Sequence, residues 1–98
     1  MNAVQEGTQA SRHLMTAILD DAVHCYRTHW ASRDRRGRQL FRAAESWIMD
    51  PYPHGTYSFA RVCELLGVPG EALRRDLRRW VEHQRAERWA SPAGAHAA

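Results

Sequence analysis

The arginines of the C-terminal half are the residues with the clearest chemical potential in this chain. All 14 basic residues are arginine, and four of them, Arg74, Arg75, Arg78 and Arg79, lie close together. A guanidinium group presents a planar fork of donors that can clamp a phosphate or pair with both major-groove acceptors of guanine. The nearby Glu71 can accept a hydrogen bond from the amino group of cytosine. The cluster therefore indicates a surface that recognises anions.

The segment that must position these side chains, residues 58–80, has the pattern of a helix, a glycine-centred turn and a second helix. Ser58 can cap the first helix by accepting from its free amides. Gly67 follows the last apolar residue, where a left-handed backbone favours glycine, and Pro69 prevents the first helix from continuing. Apolar residues recur at helical spacing in both helices: Phe59, Val62, Cys63, Leu65 and Leu66, then Leu73, Leu77, Trp80 and Val81. At about 100° per residue, the four arginines are expected on the side opposite the second stripe.

This segment resembles the helix-turn-helix of phage repressors and of the promoter-reading domains of sigma factors. With Gly67 as the turn glycine, Cys63 stands where the family usually has alanine. Leu66, Val68 and Leu73 also follow the family pattern. Asp76 departs from it, because a buried aliphatic residue is usual there, and so does the Pro69-Gly70 pair in the turn.

The resemblance implies double-stranded DNA as the partner, with the second helix in the major groove. The N-terminus of the first helix, at Ser58, would offer free amides to a phosphate, and Arg61 is close enough to assist. The DNA contacts expected from this segment are Ser58, Arg61, Glu71, Arg74, Arg75, Arg78 and Arg79. The alternative is that the arginine-rich face is simply solvated.

A second basic patch runs from Arg33 to Arg42. Its DNA-contact candidates are Arg33, Arg35, Arg36 and Arg38, which surround Gly37. They could hold phosphates beside the groove and so add salt-dependent affinity without reading sequence. The alternative is a solvated helix start, partly neutralised by Asp34 and Glu45.

The remaining periodicity predicts an all-α domain of four helices with the helix-turn-helix at its C-terminal end. The first helix is expected over residues 12–30, the second from a Ser32 cap to about Met49, and the last from near Gly70 to about Trp89. Residues 50–57 are rich in proline and glycine and predict a loop. Residues 1–11 and 91–98 are predicted to be a disordered arm and tail, which leaves 12–90 as the domain. Trp30, Trp47 and Trp80 are the expected core anchors.

Composition narrows the function classes. A length of 98 residues, 44% of them hydrophobic, suits one small domain, and a net charge of +3 means that any anion-binding surface depends on clustering. No apolar run reaches the length of a membrane span, and no signal-peptide pattern is present. Cys25 and Cys63 are typical of buried thiols in a reducing cytoplasm. His24 and His29 lack the spacing that places two imidazoles on one helix face, and no motif of an enzyme is present, so we expect neither metal, cofactor nor catalysis.

These observations favour a small cytoplasmic helix-turn-helix protein that binds duplex DNA and regulates transcription. A homodimer would match two half-sites on one face of the duplex, and helix one or the end of helix four, with Trp89, could supply the contact. The alternative is a helical adaptor whose arginine-rich face meets an acidic protein surface, such as one on the transcription machinery.

Overall fold

The chain folds into four helices, which confirms the predicted all-α class. The computed structural model describes residues 2–52, 55 and 57–97, and the side chains of 11–52, 55 and 57–90. The helices are α1 (Asn2–His29), α2 (Arg35–Met49), α3 (Phe59–Leu66) and α4 (Gly70–Ala97). None of the described helices is long and apolar enough to cross a lipid bilayer.

The two terminal helices are longer than the sequence predicted. The backbone of α1 is helical from Asn2, and that of α4 is helical to Ala97. The described backbone is thus helical at residues 2–11 and 91–97, where the sequence predicted an arm and a tail outside the domain. Residues 2–11 contain two alanines, two glutamines and a glutamate, which favour helix, whereas residues 91–97 contain three alanines but also Pro92 and Gly94, which do not.

The core lies where the apolar stripes of the four helices meet. Its buried residues are Met15, Leu19, Ala22, Tyr26, Phe41, Ala44, Ile48, Phe59, Val62, Cys63, Leu77 and Val81. The ring of Tyr26 stacks on that of Phe41 with centroids 5.0 Å apart, which joins α1 to α2. Burial raises the pKa of the Tyr26 hydroxyl above its usual value, and the nearby Glu45 carboxylate adds to this. A stacked aromatic pair such as Tyr26 and Phe41 stabilises a small core beyond what its buried area alone contributes.

The three tryptophans expected as anchors lie at the edge of the core. Trp30, Trp47 and Trp80 are partly buried and pack against it. Trp30 meets Trp80 edge-on, with centroids 6.3 Å apart, and Trp47 meets Phe59 in the same way at 5.4 Å. The Trp47 indole N–H donates to the carbonyl of Tyr57 at 2.8 Å. This position allows the indole both to bury its ring and to satisfy its polar group.

The start of α2 differs from the prediction that Ser32 caps it. Asp34 is the N-cap, and its carboxylate accepts from the amide of Gly37 at 3.3 Å. The Ser32 hydroxyl instead donates to that carboxylate at 2.5 Å. This hydrogen bond, together with that from Gly37, lowers the pKa of Asp34 below its usual value. Asp34 is preferred because a carboxylate also interacts favourably with the positive end of the helix dipole.

Candidate nucleic-acid interface

The unit α3-turn-α4 forms as the sequence predicted. Gly67 ends α3 in the left-handed region, with φ 73°, and its amide donates to Glu64 at 3.3 Å. The amide of Val68 donates to the carbonyl of Cys63 at 2.8 Å. This pair of hydrogen bonds is the Schellman arrangement, in which a left-handed glycine satisfies the last carbonyls of a helix. Any other residue at 67 would bring strain to the turn.

Two contacts hold the ends of α3. The hydroxyl of Ser58 accepts from the amide of Arg61 at 3.3 Å, so the predicted cap is confirmed. At the other end, the guanidinium of Arg12 on α1 donates to the carbonyl of Leu65 at 3.0 Å. A cation at the C-terminus of a helix is favourable because the free carbonyls there carry partial negative charge.

The prediction that Ser58 and the first amides of α3 meet a phosphate is corrected by burial. Ser58 is 7% exposed and Phe59 only 1% exposed. The Ser58 hydroxyl is already engaged in the cap, so this helix start faces the protein interior. Arg61 remains exposed, with Glu64 as an ion-pair partner at 3.5 Å.

The apolar stripe of α4 has its centre close to where the sequence placed it. Leu77 and Val81 are buried, and Leu73 and Trp80 are partly buried against the core. Asp76, which occupies the usual position of a buried aliphatic residue, is exposed. The helix therefore buries Leu77, one residue further on, and the charged side chain reaches solvent.

Arg74 is the main correction to the predicted interface, because it lies inside the protein at 7% exposure. Its Nε donates to the carbonyl of Ile48 at 2.8 Å, and its Nη2 donates to the carbonyl of Asp50 at 2.9 Å. Its Nη1 pairs with the carboxylate of Glu71, and its guanidinium lies 4.8 Å from the ring centroid of Phe59. Its donors are engaged by the carbonyls at the end of α2 and by Glu71, so Arg74 is not free to reach a DNA groove.

The geometry of the helix explains this burial. Arg74 precedes the buried Val81 by seven residues, which at 100° per residue places the two side chains about 20° apart. The α2 helix ends beside this position, and its last carbonyls have no partner within their own helix. Arg74 donates to these carbonyls, as cations near a helix C-terminus often do.

The exposed charged side chains in the first turns of α4 form what we call the outer face of α4: Glu71, Arg75, Asp76, Arg78 and Arg79. Arg75 lies 3.7 Å from the carboxylate of its neighbour Asp76. Arg78 reaches back to the sulfur of Met49 on α2 at 3.5 Å. Within the described residues, Arg79 has no carboxylate in ion-pair distance. Three of the four clustered arginines thus remain available to an anion.

The predicted phosphate contacts of the second basic patch, Arg33, Arg35, Arg36 and Arg38, are all exposed at the start of α2, and so is Arg42. Asp34, the acid in their midst, is committed to the helix cap. Gly37 is buried between them, and a Cβ there would lie 2.7 Å from Asp34 Oδ1. The glycine is therefore needed for this compact start.

Two further arginines reach the same end of the molecule, and the sequence analysis did not predict them. The guanidinium of Arg85 lies 5.8 Å from the ring centroid of Phe41 on α2, and that of Arg88 lies 5.9 Å from a ring centroid of Trp30. No local sequence signal marks these contacts, since they depend on how α4 crosses the other helices. We call the combined set the arginine end: Arg33, Arg35, Arg36, Arg38, Arg42, Arg85 and Arg88.

The described residues show neither a cluster of metal ligands nor a thiol with a lowered pKa. No three His, Cys, Asp or Glu side chains among the described residues are grouped so that they could hold a metal ion. Cys25 and Cys63 are free thiols, and burial raises the pKa of both. The loop residue His54 lies outside the described residues.

Comparison with protein-family models, curated protein sequences and solved structures finds no match to this chain. The interface is therefore assigned from its own geometry.

Proposed function

We propose that this protein binds duplex DNA through α3 and α4 and regulates transcription from the bound site. The observation that carries the proposal is the outer face of α4, which projects arginines from the helix that follows a capped α3 and a left-handed glycine turn. A helix presented in this way, with its apolar side packed on a small core, suits entry into a major groove.

The groove-facing residues in this proposal are Arg75 and Arg79, with Glu71 and Arg78 at the flank. Each arginine fork can pair with the two acceptors of a guanine. The pair between Arg75 and Asp76 does not prevent this, because both side chains are more than half exposed, at 62% and 68%. Exposed pairs contribute little free energy and can be exchanged for a DNA contact.

The proposal also covers the phosphate contacts, the oligomeric state and the cellular location. Arg61 and the four arginines first predicted at the start of α2 would hold the backbone. A homodimer would place two copies of α4 on two half-sites one helical turn apart. The free thiols favour the reducing cytoplasm, where the transcription machinery would be a further partner.

The test is selection of binding sites from a random duplex pool by the wild-type protein, followed by affinity measurements on the selected site. Arg75→Gln and Arg79→Gln should each lose about 1–3 kcal/mol on the selected site and change little on unrelated duplexes. His13→Gln, a substitution at an exposed position of α1, serves as the control. A pool that yields no enriched sequence would contradict the proposal.

A second candidate function, a helical adaptor for an acidic protein, is favoured by one observation. Trp89 on α4 is 88% exposed, and large exposed aromatic side chains are typical energetic centres of protein interfaces. In the adaptor, Trp89→Ala would abolish partner binding and leave DNA affinity unchanged. In the DNA-binding protein, Arg75→Gln would have the larger effect on function in cells.

A further inference from the structure

The arginine end carries positive charge that the protein does not neutralise. Among the described residues, none of its seven arginines lies within ion-pair distance of a carboxylate. The ion pairs of the described residues all lie elsewhere: Arg61–Glu64, Arg74–Glu71, Arg75–Asp76 and His83–Glu87. Asp34 is held by Ser32 and Gly37, and its lowered pKa keeps it ionised in that role. Glu45 and Glu82 lie further along the seam between α2 and α4, close to Tyr26.

Two of these arginines lie near aromatic rings. Arg85 is 5.8 Å from the ring centroid of Phe41 on α2, and Arg88 is 5.9 Å from a ring centroid of Trp30, which follows α1. A guanidinium that rests on a ring keeps its edge donors free while its stem is ordered. Less conformational entropy is then lost when an anion binds.

The position of the arginine end separates it from the outer face of α4. Arg88 follows Arg75 by thirteen positions, which at 1.5 Å per residue is about 20 Å along α4. A major groove is about 12 Å wide. If the first turns of α4 occupy a groove, the arginine end meets phosphates outside that groove.

We infer that the arginine end is a separate, sequence-independent clamp for the phosphate backbone flanking the site that α4 reads, with Arg42, Arg85 and Arg88 as additional contacts. This inference rests on the proposed function. The occupant is a phosphate backbone because the arginines are spread along two helices without apolar residues exposed between them at the start of α2. A row of regularly spaced anions fits such a surface better than a compact acidic group.

The test measures affinity as a function of salt for a random-sequence duplex of about 21 base pairs, two helical turns. Arg35→Gln/Arg36→Gln and Arg85→Gln/Arg88→Gln are compared with Arg75→Gln/Arg79→Gln and with the control His13→Gln, after circular dichroism has shown that each variant is folded. Each phosphate contact contributes about 0.9 to the slope of log affinity against log salt. Each arginine-end double variant should therefore reduce the magnitude of the slope by about 1.8, and His13→Gln should leave it unchanged.

The outcomes separate this inference from the proposed function. A wild-type slope in both arginine-end variants overturns the clamp, even if site selection succeeds. A reduced slope with no enriched site supports the clamp and removes the groove-reading function. If poly-glutamate competes as well as the duplex does at equal charge, the surface belongs to an acidic protein partner and the clamp is overturned.

Discussion

Replacement of Arg74 by methionine gives the most direct test of how the α3-α4 unit is held. Methionine keeps the length and packing of the side chain over Phe59, 4.8 Å from its ring, but removes every donor. The carbonyls of Ile48 and Asp50 then lose partners at 2.8 and 2.9 Å. Ile48 is fully buried, so water does not readily replace the lost donor.

The expected loss of unfolding free energy in Arg74→Met follows from these two hydrogen bonds. A hydrogen bond from a charged donor contributes about 1.5–3 kcal/mol, so two contribute about 3–6 kcal/mol. The pair with Glu71 adds little, because the Glu71 side chain is 86% exposed and solvent screens it. Removal of a buried charge and its desolvation cost offsets part of the loss. We expect about 3 kcal/mol, which for a domain of this size is a fall in melting temperature of roughly 12–24 °C.

The assay is thermal and urea unfolding followed by circular dichroism, with Arg75→Met as the control. Arg75 is exposed and has the same type of side chain, so its loss should change stability by less than about 0.5 kcal/mol. Arg74→Lys should give an intermediate result, because one ammonium cannot match the fork that reaches two carbonyls. If Arg74→Met unfolds at the wild-type temperature, the inward placement of this arginine is wrong.

Three further predictions concern the core and the start of α2. Gly37→Ala should lower the melting temperature, because the new Cβ would lie 2.5 Å from the Cβ of Ser32. This clash outweighs the preference of about 1 kcal/mol that alanine has for a helix, and a higher melting temperature would contradict the cap geometry. Leu77→Ala should cost about 2–5 kcal/mol in urea unfolding, and Leu65→Ala, at a site that is 45% exposed, should cost much less. In thiol titration, Cys25, which is partly exposed, should react before the buried Cys63. Burial raises the pKa of both thiols, so the order rests on the access of the reagent, and equal rates in the native state would refute it.

The parts of the fold that local chemistry decides were predictable from the sequence. Gly67 was expected in a left-handed turn because other residues are strained there, and the backbone has φ 73° at that position. Ser58 was expected as a cap, and it is one. The apolar stripe of α4 was expected at Leu77 and Val81, and both are buried. Each of these predictions depends only on residues within one or two helical turns.

Features that depend on tertiary placement were not predictable in the same way. Two residues near the start of α2 can cap it, and only the approach of Gly37 to Asp34 decides between Ser32 and Asp34. The burial of Arg74 depends on the carbonyls at the end of α2, which are 24 and 26 residues away in the sequence. A helical wheel of α4 treats that arginine as one of four similar cations.

The arginines of this chain therefore divide by what their donors face, and the sequence does not display that division. Arg74 turns its fork toward backbone carbonyls and fixes α4 to the end of α2. Arg85 and Arg88 are exposed, and each lies within 6 Å of an aromatic ring centroid. Arg75 and Arg79 have neither kind of support among the described contacts beyond the exposed pair with Asp76. An arginine that already serves the fold cannot also read a base, because its donors are used. In the proposed function, base reading therefore falls to Arg75 and Arg79, whose donors have no task within the fold.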